Sequence, residues 1–106
     1  MQRWLPVVVK RIRRLARERK VLVTHKALRE LAALDLGLDV DDACDVLAKL
    51  TQSDFAGRLV SQVTKEWLYI FRPGVAGITV YLKLVLRRSC VVVSFHEEEV
   101  EDGKKD

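Results

Sequence analysis

From Gly77 to Glu97 the chain reads GITVYLKLVLRRSCVVVSFHE, two alternating runs on either side of a short polar break. Period-two alternation is the mark of a half-buried strand, and two such runs around a break predict a β-hairpin. In the first run Ile78, Val80, Leu82, Leu84 and Leu86 share one face, and Thr79, Tyr81, Lys83 and Val85 share the other. In the second run Val91, Val93 and Phe95 alternate with Cys90, Val92, Ser94 and His96. A core sets the leucine row beside Val91, Val93 and Phe95, and any register that does so gathers Tyr81, Lys83, Ser94 and His96 on the opposite face. A two-residue turn at Arg88-Ser89 places Tyr81 opposite His96 and Lys83 opposite Ser94. Arg-Ser is poor chemistry for that turn, and a longer loop with an even number of residues keeps the same row together.

Ahead of this hairpin the period changes to that of helices. Residues 7–19, VVVKRIRRLARER, place Val8, Ile12 and Leu15 on one stripe, with Pro6 just before them at a tolerated helix start. KVLVT at 20–24 reads as a short strand. Thr24 then caps a second helix whose apolar side is Ala27, Leu28, Leu31 and Leu34, and Gly37 supplies a left-handed stop. His25 falls in the first turn of that helix, exposed. Asp39 opens a third helix with Asp41 and Asp42 in its first turn and Val40, Ala43, Cys44, Leu47 and Leu50 as its buried stripe. These carboxylates resemble a catalytic or metal pair, but stabilisation of a helix start accounts for them more economically. Ser53-Asp54 reads as a turn, Phe55 as a core anchor and Gly57 as a flexible point. A strand is expected within 58–63 and a firmer one at 66–72, with Trp67, Tyr69 and Phe71 on one face. Helices followed by antiparallel strands predict an α+β fold, one domain over residues 1–96, with helices packed on one face of a twisted sheet. Residues 97–106, EEEVEDGKKD, are expected to form a disordered acidic tail.

Composition narrows the class. Hydrophobic residues are 49% and charged residues 32% of 106, enough for a single core with a well-solvated surface. No apolar run approaches the ~18 residues of a membrane span, and Trp4 to Val9 is too short for a signal peptide, so a cytoplasmic location is expected. Cys44 and Cys90 are far apart in sequence and, with two scattered histidines, show no metal-ligand spacing; ordinary reduced thiols and no metal are expected. The net charge of +4 is unevenly spread. Residues 1–30 carry ten Lys or Arg against two Glu, residues 31–54 one Lys against six Asp, residues 55–96 six basic groups against one Glu, and the tail two Lys against six acids. Basic blocks of this kind point to a polyanion such as RNA or DNA. A basic amphipathic helix also suits a membrane surface, but the narrow apolar stripe of 7–19 favours packing on a sheet.

Several segments then line up in order: ALRELAALDLGLDVDDACDVLAKL, the S-D-F of Ser53 to Phe55, Trp67, the R-P of Arg72-Pro73, the V-Y-L-K of Val80 to Lys83, and the V-S-F of Val93 to Phe95. In that order and spacing the chain resembles the MqsR family of bacterial toxin endoribonucleases, from about Arg11 to the start of the acidic tail. The resemblance implies a RelE-like fold, metal-independent cleavage of mRNA without a cofactor, and a cognate antitoxin with a DNA-binding part. It implies an active-site role for Tyr81 within V-Y-L-K. His96 follows V-S-F where the best-known member has a functional lysine. Arg58 lies near the family's basic residue after S-D-F, offset by a one-residue gap. The position after Trp67, a functional glutamine in that member, is Leu68 here.

The residues themselves suggest the same chemistry. An imidazole titrating near ~6.5 serves as acid or base, and the neighbouring Glu97 to Glu99 incline His96 toward the acid. Tyr81 positions phosphate or shares proton transfer, Lys83 and, as the resemblance implies, Arg58 hold phosphate charge, and Lys65 and Arg72 steer RNA by general attraction. A non-catalytic nucleic-acid-binding module is the rival reading, supported by the basic first helix and by Leu68.

Overall fold

A computed structural model describes residues 2–99. Helix α1 spans Trp4–Arg17, strand β1 Val21–Val23, helix α2 His25–Ala33 and helix α3 Val40–Ala48. After a 3₁₀ turn at Gln52–Asp54 come β2 (Phe55–Val60), β3 (Trp67–Phe71), β4 (Gly74–Val75), β5 (Ile78–Leu86) and β6 (Cys90–Glu97). The expected α+β class is therefore observed. The sheet order is β1-β6-β5-β3-β2, with β4 paired to β5 off this path; the sheet is mixed rather than wholly antiparallel as expected, because β1 runs parallel to β6, while the remaining pairs are antiparallel.

Helix α1 starts three residues earlier than the apolar spacing suggested. Trp4 and Leu5 join the core, and Pro6 falls in the first turn, where a missing N–H costs nothing because that donor has no helical partner. The inward stripe is Leu5, Val9, Ile12, Leu15 and Ala16, with Val8 at its margin. Thr24 caps α2 by accepting the Ala27 N–H at 3.1 Å. Asp35, at φ 58, makes the left-handed stop after α2, and Gly37 at φ 69 only follows it. Asp39 and Asp42 form a reciprocal capping box on α3, each accepting the other's backbone N–H at 2.9 Å. The bond from the Asp42 N–H contributes most to holding the Asp39 carboxyl below its usual range. The Asp cluster is thus a helix start.

One core joins α1, α2 and α3 to Tyr69, Phe71, Val80, Leu82, Leu84, Cys90, Val92 and Phe95. Strand β2 begins at Phe55 and ends at Val60, earlier than expected, because Ser61 turns the chain: its hydroxyl accepts the N–H groups of Val63 and Thr64. The Glu66 carboxylate leaves this loop to receive two bonds from Arg87, at 2.9 and 2.7 Å, tying the β2–β3 loop to the β5–β6 loop. That pairing lowers the Glu66 carboxyl to about 2. Its unfolded counterpart titrates near ~4.3, so the contribution is present above about pH 5 and lost as pH falls toward 2. Urea midpoints measured down that range are expected to fall less steeply for Glu66→Gln than for the wild type.

The β5–β6 hairpin departs from expectation in an instructive way. Leu86 pairs with Cys90, so the loop is Arg87–Ser89, three residues rather than two. An odd loop would turn the imidazole into the core. A β-bulge corrects it: Lys83 pairs with Ser94 and Leu84 with Val92, leaving Val93 as the extra residue. Beyond the bulge Leu82 faces Phe95 and Tyr81 faces His96, as the pattern predicts. Between bulge and loop the rows are exchanged. Cys90 and Val92 are buried with the leucines, and Val91 turns to the opposite face against Val85. The placing of Val91 and Val93 beside the leucine row is thus corrected; of that trio only Phe95 is buried there. Glu97 belongs to β6, and the Glu98 N–H still bonds to the Thr79 carbonyl, so the ordered ribbon runs past the expected tail boundary. The rest of the expected tail, residues 100–106, lies outside the described residues.

Candidate active site

The sheet has two unlike faces. Core packing places the helices over Tyr69, Phe71, Leu82 and Leu84. Strand alternation then turns Tyr81, Lys83 and His96 to the opposite face, which the helices leave open among the described residues. Tyr81 and His96 are directly paired and stack nearly flat, ring centroids 5.0 Å apart and planes 11° from parallel. Lys83 sits one pair along, its Nζ 6.0 Å from the Tyr81 ring centroid. All three are half-buried, held by the sheet with one side free. His96 Nδ1 lies 2.9 Å from the Glu97 carbonyl. A carbonyl has no proton to give, so Nδ1–H donates and Nε2 is left free to exchange protons with a ligand.

Arg72 follows β3 and falls by alternation on this same face, where its Nε meets the Glu98 carboxylate at 2.8 Å. Arg58 does not join the set. It pairs with Tyr69, which pairs with Leu84, so it belongs to the helix-bearing face. The register shift between Phe55 and Gly57 decides this: carried on unbroken from Phe55–Phe71 the register would set Arg58 opposite Leu68 on the open face, whereas the shift sets it opposite Tyr69. The Arg58 guanidinium is instead held between two indoles, 3.9 Å from the Trp4 ring and 3.7 Å from the Trp67 ring. Arg58→Ala is expected to lower stability by about 1–2 kcal/mol, read from urea denaturation, since two cation–π interactions disappear together. Lys65 occupies the β2–β3 loop at φ 65, in a groove with Val7, Val8, Arg11 and Trp67, at the far end of the sheet from His96. Of the six candidates the structure brings together Tyr81, Lys83, His96 and Arg72, and separates Arg58 and Lys65.

Two neighbours were not singled out from the sequence. Strand β1 covers β6 only from Cys90 to Val92, and α2 continues along the exposed edge. Glu30 accepts the Phe95 N–H at 2.9 Å, and Lys26 reaches the Ser94 hydroxyl at 3.0 Å and the Glu30 carboxylate at 2.8 Å. Ser94, almost fully buried, is thereby satisfied. Burial works against the Glu30 carboxylate. Bonds from Lys26 and the Phe95 N–H, with the charges of Lys26 and His96, outweigh it and hold the group below its usual range. These side chains complete an edge that would otherwise be unpaired, next to the site. The only local sequence signal is the i,i+4 spacing of Lys26 and Glu30, which predicts their ion pair but not their reach across to β6. Leu68 lies on the open face, opposite Leu59, and next in register to Val85. It gives that end of the face an apolar row where the resemblance calls for an amide. Among the described residues no group of three His, Cys, Asp or Glu is placed to hold a metal ion.

A helical layer on a mixed sheet, with a phenol, an imidazole and two cations on the open face, defines a small α+β protein equipped for acid–base chemistry on an anion. Residues 7–97 match the family model described as "motility quorum-sensing regulator, toxin of MqsA". The chain belongs to this MqsR toxin family. It is 33% identical over 88 residues to the mRNA interferase toxin MqsR of Escherichia coli (strain K12), covering 82% of this chain and 88% of that one.

Proposed function

We propose that the chain is an endoribonuclease toxin that cleaves mRNA by attack of the ribose 2′-hydroxyl on the adjacent phosphate. The observation that carries the reading is the stacked Tyr81–His96 pair beside Lys83, on an open sheet face of a member of this toxin family. Such cleavage uses the hydroxyl that distinguishes RNA from DNA. It requires a base for that hydroxyl, an acid for the leaving 5′-oxygen, and positive charge for the phosphorane. His96, with Nδ1 committed to the Glu97 carbonyl, presents Nε2 and protonates the leaving oxygen, while the proton of the 2′-hydroxyl passes to water on the open face. Tyr81 lies flat on the imidazole and directs its hydroxyl to the phosphate. Lys83 and Arg72 balance the developing charge, Arg72 exchanging Glu98 for phosphate. Arg58, on the other face, takes no part in this step, so Arg58→Ala costs stability rather than turnover.

The route draws on the chain's own groups and needs no added metal. A cognate antitoxin with a DNA-binding part holds the activity in check in the cytoplasm, where the substrate is. The test is a defined RNA incubated with the purified chain in chelator. Fragments ending in 2′,3′-cyclic phosphate are expected, and intact RNA overturns the reading. Induction with and without the adjacent gene tests the partner: growth arrest is expected only in its absence. The rival reading, a module that binds nucleic acid without cutting it, draws on Leu68 and on the distance of the basic helix from the site. It predicts RNA binding that weakens steeply with salt and no new transcript ends.

A further inference from the structure

The most basic element of the molecule lies on the wrong side of the sheet to serve the cleavage site. Helix α1 turns Leu5, Val9, Ile12, Leu15 and Ala16 into the core and Arg3, Lys10, Arg11, Arg14 and Arg17 into solvent. It contains no Asp or Glu. The first acid after it, Glu18, is shared between Arg14 at 3.6 Å and Lys20 at 3.5 Å. Arg11 and Arg13 donate to the carbonyls of Arg87 and Ala48 and have no acidic partner among the described residues. Lys10 and Arg17 have no acidic partner among the described residues.

Such an arrangement opposes helix stability. Lys10 repels Arg13 and Arg14, and Arg17 repels the same two, at the i,i+3 and i,i+4 spacings where a solvated helix ordinarily alternates sign. The helix dipole accounts for Arg14 and Arg17 in the last turn, but not for Lys10 and Arg11. Two shallow grooves flank the stripe. One is lined by Pro6, Val9, Lys10, Arg13, Arg17 and Gln52, and the other by Val7, Lys10, Arg11, Arg14 and Arg17. Cations dominate both, with Pro6 and Val9 beside them in the first and Val7 in the second. Val7 and Arg11 also line the groove that holds Lys65 and the half-exposed Trp67.

We infer that the outer face of α1 is a second RNA-contact surface, holding phosphates of the substrate strand away from the bond to be cut. The inference rests on the reading of the chain as an RNA-acting toxin. Charge complementarity selects a polyanion, and guanidinium forks suit phosphate. An apolar contribution limited to Pro6 and Val7 on the exposed side is too small for a membrane surface. The surface raises affinity for long RNA without touching the reacting atoms, so its effect grows with substrate length.

The test is the triple variant Lys10→Gln, Arg14→Gln, Arg17→Gln, with thermal unfolding confirming an intact fold. Binding to an unstructured RNA of roughly 30 nucleotides is measured by anisotropy across salt concentrations, and the slope of log K against log salt is expected to fall in magnitude by about 2, at ~0.7 for each single-strand phosphate no longer neutralised. KM for that RNA rises, whereas kcat/KM for an oligonucleotide of about four nucleotides, long enough only for the cleavage site, is unchanged. An unaltered salt slope overturns the proposal. So does equal loss on short and long RNA, or a loss confined to anionic vesicles or to the purified antitoxin. The binding slope stands apart from catalysis: if the wild type cuts nothing yet the slope falls, the nuclease reading fails and the α1 surface stands.

Discussion

Replacing His96 by alanine is expected to lower the cleavage rate on a defined RNA by about 10²–10⁴-fold, the usual value of one positioned acid–base group. The imidazole is half-exposed at the end of β6, and its removal takes away a stacked ring without opening the core. The urea midpoint should therefore stay close to that of the wild type. Tyr81→Phe keeps the ring stacked on His96 and removes only the hydroxyl, so it separates the two functions of that residue. If the hydroxyl contacts phosphate or shares the proton, the rate falls about 10²-fold or more. If the ring merely holds the imidazole flat, the rate is preserved. Single-turnover cleavage with saturating protein measures the chemical step in each case. Near-wild-type rates for both variants would remove the pair from the mechanism.

The largest loss of stability is expected at Phe71. This ring is fully buried on the helix-bearing face, edge-on to Phe55 with centroids 5.5 Å apart, and paired in register with Leu82. Phe71→Ala removes its apolar area and leaves a cavity that α1 and the sheet close only partly, at a cost of about 3–5 kcal/mol. A domain of this size has ~5–15 kcal/mol in all, so the variant should unfold at markedly lower urea. Phe71→Leu, closer in volume, should recover most of the loss. A small effect from the alanine variant would mean the core is looser than its packing indicates.

How much of this was legible in the sequence differs from element to element. The hairpin faces were readable near the site because alternation from Val80 to Lys83 and from Ser94 to His96 is strict. Alternation predicts the pairing of Tyr81 with His96 through a two-residue loop, whereas the chain uses three residues and a bulge at Val93. Periodicity reports which way a side chain points relative to its neighbours and is blind to a single extra residue in a run of valines. The same limit explains Arg58. Its distance from Ser-Asp-Phe suggested a place near the phosphate, but the irregularity between Phe55 and Gly57 turns it toward Trp4 and Trp67. Lys26 and Glu30 were not found as parts of the site because their role depends on where β1 stops, which is a tertiary fact. The caps, by contrast, were local and readable: Thr24 and Asp39 act through donors within three residues.

The extra residue at Val93 lies between the Arg87–Ser89 loop and the paired rings. It therefore behaves as a phase adjuster, absorbing the loop's odd count before the strand reaches His96. A chain that shortened this loop by one residue and lost the bulge at once would present the same two rings, in the same stack, to the same substrate. The tip of the ribbon can thus change length by one residue while the end that carries Tyr81 and His96 keeps time.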